Sequence, residues 1–434
     1  MAVWVVVLGL VAPVLYALLR ARGISRDAYL FNARQTSLPL TLASVICGNI
    51  GIGTFVALFL FTAQSPVIGY TVAVSYAAGL VLCAALAGTI HRAARQTDSY
   101  GMVDYLVTAH GLAHPALIWV PVAVAFALRS IVQLMALALI VEMALGPGPV
   151  AAMILAGLVV GGYTALGGYK VATETDMAQA LIILAGIGLV AAALWSGDAA
   201  LPAEAPAFFT LAPWGLPFLV AVMLFLPFSA VLAVDNWQRI ATADSARTAR
   251  RAYLAAALVC TPVYLLLAHV GHLSGTAGGV GMADVLAVFR TLMPQGLPVL
   301  ADLMVMMAVM SSIDTFVMPL MTSLARTYWP LSRIRGAVLA FFALLMAVAL
   351  AIGDALTGVI AAFNTLVVFL PAVFGALVLG DRAPRAAAAS MGLGVGLTLL
   401  FGVLALDLAA LAGFAASSVI YAVGRRSARP ALPL

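Results

Sequence analysis

Apolar runs of about 18 or more residues recur from one end of the chain to the other, and no other feature restricts its folding so far. As a helix, each run is long enough to cross a hydrocarbon core of ~30 Å. With 65% hydrophobic and 9% charged residues, the chain has too little polar surface to cover so many apolar helices in water. It is expected to be an all-α polytopic membrane protein with about thirteen transmembrane helices. The expected spans lie at roughly 2–20, 38–63, 66–90, 117–144, 148–166, 175–196, 214–234, 252–274, 297–325, 336–353, 355–380, 386–406 and 408–424. No hydrophilic linker divides them, so residues 1–434 read as a single transmembrane domain.

The net charge of +5 acquires a meaning once the spans are placed. Residues 1–19 are apolar, lack a basic start and are followed by "RARG", which reads as a first span with its amino end outside. Alternation then puts the carboxy terminus in the cytoplasm, and all but two of the 21 Lys and Arg on that side. Arg239, in the loop expected after the seventh span, is counted among them; the exceptions are Arg290, in an external loop, and Arg129, inside a span. Such one-sidedness is the positive-inside pattern of a cell inner (plasma) membrane protein. It accounts for the basic balance without nucleic acid, and no obligate protein partner is evident beyond the lipid bilayer. Cys47, Cys83 and Cys260 are isolated, and the pairs His110/His114 and His269/His272 lack a third ligand. The external loop at 275–296 contains a short amphipathic stretch that reads as a lid.

Residues 46–60, "ICGNIGIGTFVALFL", place Asn49 and the glycines 48, 51 and 53 inside the second span. Glycine costs about 1 kcal/mol against alanine in a helix interior, and an amide in hydrocarbon needs a partner. Breaks at mid-membrane are tolerated where the released backbone groups meet water, ions or substrate. The seventh expected span carries Pro227 near its middle, in "AVMLFLPFSAVLAV". A break that recurs after five helices marks two inverted five-helix repeats, with solute and ion bound where the breaks face each other. Asn49, Gly51 and Thr54 on one side, with Phe225 and Phe228 flanking Pro227 on the other, are the expected cavity lining. Close helix packing at the glycines and a simple kink at the proline are the structural alternatives.

Four segments resemble the sodium:solute symporters. "YTALGGYKVATETDMAQ" (163–179) looks like the family signature, and "AVMSSIDTFV" (308–317) like its Ser-Ser/Thr-x-Asp-Ser/Thr segment. The stretch from "RDAYLFNARQ" through "CGNIGIGTF" is similar to the entry into the first core helix. "DNWQRIATADSARTARRA" (235–252) resembles a cytoplasmic Trp-Gln-Arg loop. The resemblance implies a leading helix and loop (1–37), a ten-helix leucine-transporter-like 5+5 inverted-repeat core (38–380) and two trailing helices (381–434). It also implies sodium as coupling ion. Carried over, the sodium ligands are the carbonyls of Cys47, Ile50 and Ala308 and the hydroxyls of Ser311 and Ser312; the last three share a helix face. Asp176, Asp314 and Thr315, with Ser311, match a second sodium site found in some members. The alternative for Asp176 is a helix cap facing water at the cytoplasmic end.

Arg129 sits in the middle of the fourth span, where a guanidinium costs several kcal/mol unless paired. Glu142 is about 20 Å further along the same helix, and no other embedded acid stands out near that depth. Gln133, four residues on, shares its face. Sialic-acid-type members of the family place an arginine here for the solute carboxylate. The expected function is a sodium-coupled secondary symporter, not an enzyme, importing a small carboxylate-bearing solute by alternating access. A non-transporting sensor of the same fold is one alternative, and a symporter of a neutral solute with a structural Arg129 is another.

Overall fold

The computed structural model describes residues 2–197, 206–275, 281–325, 329–352, 365–403, 409–426 and 429–430. Helices dominate it. In the first half these are α1 (Ala2–Arg20), α2 (Arg26–Phe31), α3 (Leu38–Asn49), α4 (Ile52–Gln64), α5 (Pro66–Gln96), α6 (Met102–His110), α7 (Ala116–Leu145) and α8 (Pro149–Ser196). The second half holds α9 (Gly215–Val231), α10 (Val234–Thr242), α11 (Ala246–Ser274), α12 (Met282–Thr291), α13 (Val299–Leu324) and α14 (Leu331–Ile352). The chain closes with α15 (Leu370–Leu377), α16 (Pro384–Val403) and α17 (Ala409–Arg425). Among the described residues, the sole extended pairing of named strands joins Asp381–Arg382 to Arg429–Pro430.

Among the described residues, eight helices are long and apolar enough to cross a membrane, or up to ten if each of two bent pairs counts as one span. One of them, α8, covers two expected spans. At 48 residues it would measure about 72 Å if straight, more than twice a bilayer core. It is interrupted at Gly168, whose φ of +60° only glycine adopts without strain. A Cβ there would lie 2.4 Å from the Tyr29 carbonyl oxygen. The Tyr29 hydroxyl answers the interruption by donating to the carbonyls of Thr164 and Ala165 at 3.3 and 3.1 Å. The expected span at 355–380 is described only from Thr365 onward.

The bent pairs are α3–α4, at 45°, and α9–α10, at 41°. The first break falls at Ile50 and Gly51, where the sequence places it. The second differs from expectation. Pro227 lies inside α9, and the chain turns only at Leu232 and Ala233. Side chains of α10 cause this shift by taking carbonyls from the last turn of α9. Asn236 Nδ2 donates to Ala230 at 2.9 Å, and Trp237 Nε1 to Val231 at 2.7 Å. The segment "DNWQR" is accordingly no cytoplasmic loop. It lies within α10, a helix in which every residue is buried.

Burial locates the centre of the bundle. Of the α13 span 94% is buried, against 22% of α1, so α13 is the axis and α1 stands at the margin. The amphipathic stretch of the 275–296 loop forms α12, which buries Val285, Leu286 and Phe289. Phe289 meets Phe55 edge-on at 5.4 Å, and Arg290 grips Asp302 with two hydrogen bonds of 2.8 and 3.0 Å.

Candidate functional site

The α3–α4 break exposes backbone because the helical ladder skips a residue. Thr54 N–H donates to Gly51 at 3.0 Å instead of Ile50, which releases the Ile50 carbonyl from the ladder. Gln133 Oε1, on α7, accepts from Ile52 N–H at 3.1 Å and so caps the second half-helix. A Cβ on Gly51 would lie 2.5 Å from Ser312 Oγ and 2.7 Å from Gln133 Nε2, so only glycine fits between α7 and α13 here. Asn49 holds the first half-helix: its Nδ2 donates to Val45 O at 2.8 Å, while its own carbonyl accepts from Thr54 and Tyr264.

The serines of α13 reach this break. Ser311 Oγ donates to Ala308 O at 3.1 Å and lies 3.5 Å from Cys47 O, and Ser312 Oγ donates to Ala308 O at 2.9 Å. Four of the five expected ligands, Cys47, Ala308, Ser311 and Ser312, are thus joined by contacts. The fifth, Ile50, adjoins Gly51, which packs on Ser312. Each serine oxygen keeps lone pairs after donating its proton, and all five oxygens are neutral.

One turn further along α13 lies Asp314. Tyr163 hydroxyl is 3.0 Å from its Oδ2, whereas Oδ1 has no hydrogen-bond partner among the described residues. Asp176, on α8, is fully buried, and neither of its carboxylate oxygens has such a partner. The water-facing cap considered for Asp176 is therefore overturned: α3 and α13 pack over this part of α8 and close it off from solvent. Its backbone carbonyl is 3.3 Å from Cys47 Sγ, which ties it to the break. Thr315 Oγ1 donates to Ser311 and Ser312 carbonyls at 3.0 and 3.1 Å.

Arg129 packs against the rings of Phe126 and Phe316, at 5.7 and 5.3 Å from their centroids. Contrary to expectation, the bundle does hold a further embedded acid, Asp235 on α10, which is 3% exposed. The acid escaped notice because it lay in a presumed loop. Phe225 and Phe228 do not join this group. Three residues apart, they share one face of α9, and that face meets the end of the chain. Phe225 packs on Phe414 at 4.7 Å, and Phe228 lines an apolar groove with Leu370, Phe374 and Phe414.

The principal residue missed by sequence reasoning is Arg239. It is 1% exposed, paired with Asp235 one turn away, and bonded to Ser44 Oγ at 2.9 Å through Nε. Asn236 Oδ1 accepts from Arg239, from Asn49 and from Tyr253, at 3.3, 3.4 and 2.9 Å. One polar cluster therefore binds the two breaks together. The i, i+4 spacing of Asp235 and Arg239 was the available signal.

No protein-family profile matches the chain. No curated protein matches it by sequence. Solved structures do. A Na+-coupled sialic acid symporter, in a substrate-bound outward-open state, matches with TM-score 0.72 over 100% of this chain and 99% of its own, at 16% identity. A nucleobase-cation-symport-1 family transporter matches at TM-score 0.57 and 13% identity, covering 93% of this chain and 95% of its own. A manganese transporter of Eremococcus coleocola matches at 0.53 and 13%, over 90% and 86%. The class is thereby fixed. This is an all-α polytopic membrane protein with the leucine-transporter-like fold, which it shares with these transporters.

Proposed function

We propose that the protein is a sodium-coupled secondary symporter that imports a small carboxylate-bearing solute by alternating access. The observation that carries this reading is the pair of buried acids, Asp176 and Asp314, near the serine hydroxyls of α13; three of their four carboxylate oxygens have no hydrogen-bond partner among the described residues. Unpaired buried carboxylates cost several kcal/mol each, so the pocket is built for a cation. Oxygen-only donors suit sodium. The neutral set of Cys47, Ile50, Ala308, Ser311 and Ser312 forms one site, and Asp176, Asp314 and Thr315 with Ser311 form the second.

The solute lies beside the break, near Arg129, with Gln133, Asn49, Gly51 and Thr54 around it. Arg129 and Arg239 stand against Asp176, Asp235 and Asp314, one negative charge in excess. Two sodium ions and one monoanion bring that set to neutrality, which supports an anionic solute. Arginine's planar fork matches a carboxylate. The excess of Lys and Arg in alternate loops supports an amino terminus outside and a carboxy terminus in the cytoplasm of the inner membrane.

Proteoliposomes with an inward sodium gradient test this. Uptake of a carboxylate solute that collapses when sodium is replaced by choline is the expected result. Solute binding with no sodium-driven accumulation would instead identify a sensor. A neutral sugar or a cation as preferred solute would overturn the assignment of Arg129.

A further inference from the structure

The cation pocket and the α10 cluster are adjacent, with Ser44 between them. Arg239 Nε donates to Ser44 Oγ at 2.9 Å from one side. Asp176 reaches the same face of α3 three residues further on, where its backbone carbonyl is 3.3 Å from Cys47 Sγ. The pairing of Arg239 with Asp235 uses one nitrogen and one oxygen only. Its Nη2 has no hydrogen-bond partner among the described residues. That nitrogen points at the first broken helix, since a Cβ on Gly48 would lie 1.9 Å from it. Arg239, with its unmatched guanidinium nitrogen, and Asp176 thus meet one face of α3, at Ser44 and Gly48 and at Cys47, both fully enclosed.

We propose that Arg239 is a tethered cation that competes with sodium for Asp176. This rests on the reading of Asp176 as an ion ligand. Without an ion, the guanidinium balances the carboxylate across Ser44, and an arriving sodium takes the carboxylate over. Arg239 then turns fully to Asp235 and Asn236, on its own helix. Sodium binding is weakened by the competition, which assists release into a sodium-poor cytoplasm. Arg239 acts through Asp176 and touches neither ion nor solute, so it is a positioning residue.

The test uses the full-length protein in detergent, without solute, and reads the half-saturation for sodium from thermal stabilisation. The variant D235N/R239Q removes both partners together, with no change in net charge; its half-saturation is expected to fall about tenfold. Arg239→Lys keeps the pair with Asp235 but loses the second nitrogen, and is expected to tighten binding about threefold. In an Asp176→Asn background, D235N/R239Q should add nothing, a result that a merely structural role does not produce. An unchanged or raised half-saturation in either folded variant overturns the proposal while the ion site stands. Should Asp176→Asn alone leave sodium dependence at the wild-type value, the ion reading fails, and the competition with it.

Discussion

The two broken helices solve one problem by opposite means. At the α3–α4 break, glycine withholds a side chain; Thr54 and Tyr264 take the Asn49 carbonyl, while Ser311 of α13 reaches the Cys47 carbonyl and the Ile50 carbonyl is released from the ladder. At the α9–α10 break, Asn236 and Trp237 fold back onto the carbonyls that α9 gives up, so the break satisfies itself. In the proposed function the first break serves a ligand; the second is closed by its own side chains. What the second contributes instead is charge, Asp235 and Arg239, placed against the first. The difference shows how a half-helix end is closed when side chains one turn on can reach its carbonyls, and stays available where glycine stands instead.

The largest test of that contrast is Gly51→Leu. A side chain there enters space held by Ser312 and Gln133, and sodium-driven uptake is expected to fall to background while membrane insertion persists. Normal uptake would mean that the first break is ordinary packing. Next in size, Arg129→Gln is expected to weaken anion binding about a hundredfold, the value of a buried charge-assisted pair, and Arg129→Lys somewhat less. Sodium stabilisation without solute should survive both changes, and isothermal calorimetry separates the two quantities.

A smaller effect is expected for Ser312→Ala. It removes one neutral ligand, so the sodium half-saturation should rise about tenfold with the melting temperature nearly kept. An unmoved half-saturation would remove Ser312 from the ion site. The smallest functional effect belongs to Trp237→Phe. It leaves the Val231 carbonyl without its donor, so stability should drop by about 1–3 kcal/mol, while sodium half-saturation changes less than about twofold. If sodium affinity moved more than stability, the second break would share ligand duty with the first and the contrast would collapse.

Much of the first break was legible. Glycines and an asparagine within an apolar run conflict with an uninterrupted helix, and that conflict is local. The serine pair was legible too, because residues three and four apart share a helix face whatever surrounds them. The second break was misplaced onto Pro227, since a proline can be absorbed by a helix as a kink. Phe225 and Phe228 were assigned to the cavity by their distance from that proline, and the phase of α9 turned them elsewhere.

The sequence by itself determined that the chain crosses the membrane many times, where its first core helix breaks, and which α13 face carries hydroxyls. These follow from apolar length and backbone preference, which depend only on neighbours along the chain. Tertiary structure alone decided that α10 is buried, that Asp176 is enclosed, and that Arg239 lies between Asp235 and Ser44. A polar segment such as "DNWQR" has the same local chemistry in a solvated loop and in a packed interior. Only the helices that close over it, and the partners they bring within hydrogen-bond distance, separate the two.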